Sequence, residues 1–171
     1  MKNLLGTLLL VFVLVPSALS GPILEKIDAN IELAKLIKNH VEVMKKILQT
    51  TPAATEDERK VFVKLALKSA KKNAKNVKKI QKKHEKLKKK LLELKVDFSR
   101  DLDEADEAVW KIGDYCGEGF GQIPGFKEEG FMKWVEESAR SYGKCHGRAG
   151  DYINYMSRIR KKIAGSNSRQ I

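Results

Sequence analysis

Residues 60–98 read KVFVKLALKSAKKNAKNVKKIQKKHEKLKKKLLELKVDF, and two periodicities run through them at once. Ala66, Ala70, Val77, Ile80, His84, Leu87, Leu91, Leu94 and Phe98 recur at spacings of three, four and seven. Those spacings stack side chains along one face of an α-helix. Lys64, Lys68, Lys71, Lys75, Lys78, Lys82, Lys86 and Lys89 follow the same rhythm on another part of the circumference, flanked by Lys72, Lys79, Lys83 and Lys90. One segment therefore carries an apolar stripe to bury and a lysine stripe to expose, which predicts an amphipathic helix inside an all-α fold.

Working outward, Thr55 with Glu58 three residues later makes a capping box, so the helix is expected to begin there. No Gly or Pro follows until Gly113, and Leu102, Ala105, Val109 and Ile112 continue the apolar rhythm. The pattern predicts one long second helix over 55–112, about 85 Å by the helical rise. A bend is expected near Val96–Asp101, where the charge changes sign and strand-prone Val, Phe and Ser gather.

Upstream, Ile27, Ile31, Ala34, Ile37, Val41, Met44 and Leu48 mark a first helix over 21–50, with Pro22 in its first turn and Pro52 forcing its end. Downstream, the glycines and proline of residues 113–126 predict a loop. Two short helices are expected to follow within 127–163. Phe131, Trp134 and Val135 face the core from the first, and Ile153, Met156, Ile159 and Ile163 from the second, with Gly143, Gly147 and Gly150 between them. Residues 164–171 read as a tail. The fold expected is a long antiparallel helical hairpin, helix one lying on the basic half of helix two, the C-terminal pair on the acidic half.

The N-terminus has its own signature. Met1-Lys2, an apolar run from Leu4 to Val15, then Pro16 and Ala18-Leu19-Ser20 have the layout of a secretion signal cut after Ser20. The run is short of the about 20 residues that span a bilayer. A secreted, extracellular single domain of residues 21–171 is expected. It holds one pair of cysteines, Cys116 and Cys145, which an oxidising compartment would join. The disulfide would pin the C-terminal helices. No Asn-x-Ser/Thr acceptor occurs, so N-glycosylation is not expected.

The chain carries a net charge of +12, and that excess is local. Residues 59–95 contain 16 Lys or Arg against 2 Asp or Glu, whereas residues 96–126 contain 2 against 8. Like charges four apart weaken a helix by roughly 0.2–0.5 kcal/mol per pair, and a polyanion would relieve that repulsion while releasing counterions. The twelve lysines are the candidate binding residues. Their partners would be heparan sulfate or heparin, polyphosphate, extracellular nucleic acid, an anionic membrane surface or an acidic protein. The competing reading is a merely solvated face, or one turned towards the acidic stretch Asp97–Glu107 of the same chain. Two alternatives are a membrane-active cationic toxin or antimicrobial protein, and a protein-binding module that uses the aromatic C-terminal half with Trp134 or Phe120 exposed.

Catalytic motifs are lacking. His40, His84 and His146 show no zinc-ligand spacing, and there is no nucleophile elbow or P-loop. No cofactor, metal or enzymatic activity is expected. Tyr115-Cys116-Gly117-Glu118-Gly119 resembles the calcium-binding loop of secreted phospholipases A2. Those enzymes need a His-Asp pair, whereas here His146 precedes Gly147. The glycines are read as turns around the disulfide.

Overall fold

A computed structural model describes residues 17–51, 54–94, 96–116 and 128–167. All the regular structure there is helical, in four elements: α1 (Ser17–Thr50), α2 (Glu56–Glu93), α3 (Ser99–Cys116) and α4 (Glu128–Asn167). α1 packs on α4 and α2, and α3 packs on α4 and α2, so the four close into a ring with α2 and α4 on one diagonal. The broadest contact is α1 with α4, a pairing that the hairpin expectation did not contain. No described helix is long and apolar enough to cross a membrane.

The apolar stripes read from the sequence are the core. Ile27, Ile37 and Val41 of α1, Ile80 and Leu87 of α2, Val109 and Ile112 of α3, and Met156, Ile159 and Ile163 of α4 are all buried. α2 opens with the expected capping box: Thr55 Oγ1 accepts the Glu58 N–H, and the Thr55 N–H donates to Glu58 Oε2 at 2.8 Å. These bonds hold the Glu58 carboxyl below its usual range.

Three sequence expectations need correction. First, 55–112 is not one helix. Leu94 leaves helical geometry at φ −76°, ψ 122°, and α3 restarts at Ser99, whose N–H and hydroxyl both donate to Asp97 Oδ1. Leu94 and Phe98, on either side of the break, are both buried. The interruption therefore leaves the apolar stripe buried on both sides of the break, and α3 beyond it packs on α4 as well as on α2. α3 also runs through Gly113 to Cys116, four residues into the expected loop. There the missing Cβ admits Gln81 of α2, whose amide nitrogen would lie 2.3 Å from a Cβ at position 113. Residues 117–127, the rest of that loop, lie outside the described part.

Second, the C-terminal pair is a single helix of 40 residues, α4, which continues through Gly143, Gly147 and Gly150. Each glycine weakens a helix interior by about 0.5–1 kcal/mol. Against that, Tyr142, Cys145, Ala149, Tyr152 and Met156 form an unbroken buried stripe across the same turns. A fully buried large side chain contributes roughly 1.5–3 kcal/mol, so packing outweighs propensity. The expected tail is correspondingly shorter, since α4 reaches Asn167.

Third, α1 begins at Ser17, which places Pro22 inside the helix and not at its start. The apolar run from Leu4 to Val15 lies outside the described part.

The disulfide forms as expected. Cys116 at the end of α3 joins Cys145 in the middle of α4, with 6.0 Å between their Cα atoms. Beside it Ser141 Oγ donates to the Tyr115 carbonyl at 2.9 Å.

Candidate functional site

α2 divides its circumference cleanly. Val63, Ala66, Ala70, Asn73, Val77, Ile80, His84, Leu87 and Leu91 face inward. All twelve candidate lysines, Lys64, Lys68, Lys71, Lys72, Lys75, Lys78, Lys79, Lys82, Lys83, Lys86, Lys89 and Lys90, are exposed. At 100° per residue they occupy an arc of about 140° centred opposite the buried stripe, and at 1.5 Å per residue they extend over about 39 Å.

Among the described residues none of the twelve has a carboxylate within ion-pair distance. The α2 lysines that do are Lys60, with Glu56 and Asp57 of its own first turn, and Lys88, with Asp106 of α3. α1 adds to the positive surface. Contact with the Lys90 ammonium, a little burial and the nearby Lys86 charge all push the Lys26 pKa down. His40 of α1 is likewise held below the usual imidazole range, by partial burial first and by the Lys72 charge second.

Much of the acidic stretch that could have drawn the twelve lysines inward is engaged by other groups, Asp106 by Lys88 among them. Asp101 is buried and receives Arg158 Nε and Lys162 Nζ of α4, each at 2.8 Å. Burial alone would raise the Asp101 pKa, but the two cations more than reverse that and hold it low. Tyr155 of α4 donates to Glu104 Oε2 at 3.1 Å, and Glu107 pairs with Lys111 within α3.

The structure also assembles a polar chain through the core, which the sequence reading did not find. Asn30 Nδ2 of α1 donates to Tyr152 Oη of α4 at 3.3 Å, and Tyr152 Oη lies 3.1 Å from His84 Nδ1 of α2. His84 Nε2 faces Asp106 Oδ1 of α3 at 3.3 Å, out of line for a good hydrogen bond, and Lys88 closes the chain at 2.8 Å from Asp106 Oδ2. The tautomer consistent with these partners has Tyr152 donating to Nδ1 and the proton on Nε2. Burial keeps the His84 pKa below the usual range, although the Asp106 charge works against it. For Asp106 burial is the largest single influence and works upward, but the hydrogen bonds and charges of Lys88 and His84 together outweigh it and lower its pKa.

His84 is thus a core histidine that ties helices together, as its place on the apolar stripe implied. What gave no sequence signal were its partners, 22 to 68 residues away along the chain. His146 lies within α4, with Nε2 3.8 Å from Glu42 Oε2 of α1. Among the described residues no group of three or more His, Cys, Asp or Glu side chains is placed to hold a metal ion. Trp134, proposed as an exposed aromatic, is buried and stacks on Phe131 at 5.8 Å, while Trp110 of α3 is about half exposed. Phe120 lies outside the described residues. No known family model, curated protein or solved structure matches the chain.

Proposed function

We propose that this chain is a secreted, non-enzymatic helical protein that binds linear extracellular polyanions through the lysine face of α2. The observation that carries the reading is the exposure of all twelve lysines without a carboxylate partner among the described residues, while Asp101 and Asp106 are engaged by Arg158, Lys162 and Lys88. The fold leaves this charge uncompensated, so a counter-charge must come from solvent ions or from a partner. Lysine supplies a hydrated point charge without the planar fork of arginine, so binding is to charge density and is strongly salt-sensitive. In this reading the leader is removed after Ser20, which returns Pro22 to the first turn of α1, and α1 and α2 form an antiparallel hairpin.

Heparin chromatography tests it. The protein should be retained at low salt and elute as salt rises. Combined Lys71→Glu, Lys75→Glu, Lys78→Glu and Lys82→Glu should abolish retention while the far-ultraviolet circular dichroism stays the same. Retention that survives this change rules out the face as the site. N-terminal sequencing of the protein recovered from culture medium should begin at Gly21.

A further inference from the structure

A groove of about 260 Å³ lies between α1 and α2, at the N-terminal end of the lysine face. His40, Val43, Met44 and Ile47 form one wall, and Leu65, Lys68, Ser69 and Lys72 form the other. Its floor is apolar, with Met44 buried and Ile47 half-buried. Val43 and Leu65, at 56 % and 49 % exposure, leave their hydrocarbon open to water on both sides. The same two helix stripes extend to Leu36 and Val61, which are also exposed. Four of the six large apolar side chains exposed among the described residues therefore belong to this one face.

Charge complementarity limits what can cover it. Two ammonium groups, Lys68 and Lys72, stand on one wall only, and no acidic residue lines the groove. An uncharged apolar peptide would strip water from both ammonium groups and return nothing. An occupant with a hydrocarbon body and a single anionic end meets both requirements. The groove therefore suits one short alkyl chain. A bilayer would be better served by an exposed aromatic at the same face, but Trp110, the exposed tryptophan, is on α3, which does not pack on α1.

We infer that this groove binds a single-chain alkyl carboxylate, with its hydrocarbon against Val43, Met44, Ile47 and Leu65 and its carboxylate on Lys68 and Lys72. The two readings share Lys68 and Lys72 but are separable, because this one also needs the apolar walls that a polysaccharide would not use.

Calorimetric titration of the intact protein with octanoate, decanoate and dodecanoate, each below its micelle concentration, tests the inference. Affinity should rise with each added methylene, by less than the about fourfold of full burial because the groove is open to solvent on one side, and should level off once added carbons no longer reach its walls. Decanoate should bind at least tenfold more tightly than decanol. Val43→Asp, at an exposed position, should abolish binding and leave heparin retention unchanged, whereas Lys68→Gln with Lys72→Gln should erase the preference for decanoate over decanol. In an NMR titration the His40 imidazole should take its proton at higher pH when decanoate is bound, since a carboxylate offsets the Lys72 charge. Equal affinity for acid and alcohol would overturn the site. So would the absence of saturable binding by monomeric chains, or binding only to phosphatidylglycerol vesicles.

Discussion

α2 and α3 make an instructive pair, since the sequence presents them as one continuous amphipathic run with opposite charge at its two ends. Both bury a similar apolar stripe. Their charged faces have opposite fates. On α3, Asp101 and Asp106 are drawn into the structure and hydrogen-bonded by cations of α4 and α2. On α2, twelve ammonium groups are exposed with no carboxylate in ion-pair range among the described residues. A charge satisfied within the fold acts on stability, whereas one left open acts on whatever the protein meets. The same chemical class of side chain is structural in one helix and a candidate interaction surface in the other.

The strongest way to break this contrast is to loosen α3. Replacing Cys116 and Cys145 together by alanine should lower the unfolding free energy by about 3–4 kcal/mol, the value expected for a loop of this length. Urea denaturation would measure it, and heparin retention at a temperature where the variant stays folded should not change. Next in size, Asp101→Ala removes the acceptor of two charge-assisted bonds and should destabilise by about 1.5–3 kcal/mol.

A third comparison sets a buried amide against the exposed lysines around it. Asn73 faces the core, and neither its Nδ2 nor its Oδ1 has a hydrogen-bond partner among the described residues. Asn73→Leu should therefore raise stability, by about 1–2 kcal/mol, as read from the thermal midpoint. Acid gives the fourth test. The His84 pKa is depressed by burial, so the folded state binds fewer protons than the unfolded one, and stability is lost as pH falls below the unfolded histidine value of about 6.5. The half-buried His40 adds to the loss in the same direction, and the depressed Asp101 and Asp106 add more below about pH 4. His84→Phe should flatten the slope of urea stability between pH 6.5 and 5 without removing it.

The smallest effects are expected at two surface positions, both read from the same urea curves. Gly147 is helical, and a side-chain carbon added there would meet nothing within 4 Å, so Gly147→Ala should stabilise by about 0.5–1 kcal/mol. Lys75→Ala, the counterpart on α2 of the Asp101 change, should be neutral or stabilising by a few tenths of a kcal/mol through relieved repulsion.

Much of this architecture is legible in the sequence, because it depends on periodicity. The stripe from Ile27 to Leu48, the one from Ala66 to Phe98 and the outward lysines follow from 3.6 residues per turn alone. The capping box at Thr55 follows from two residues. Local signals failed where distant packing prevailed. Gly143, Gly147 and Gly150 look like helix stops until Tyr142, Cys145 and Tyr152 are known to share one buried stripe. The break before Ser99 shows in the sequence only as a change of composition, and neither cap residue, Leu94 before it or Asp97 after it, marks its position by spacing. The Asp101–Arg158 pair and the His84–Tyr152 contact join residues 57 and 68 positions apart, and no spacing rule reaches that far. The groove beside Lys68 and Lys72 was hidden for the same reason, since half its lining comes from another helix.

The open lysine row also bears on how long the molecule survives. Each of those residues is a cleavage position for trypsin-like proteases, which accept extended chain and not helix. Their access to α2 therefore depends on how often that helix opens. Mutual repulsion along the row favours opening, and a bound polyanion would suppress it. Persistence in a protease-rich fluid would then track the supply of negatively charged polymer.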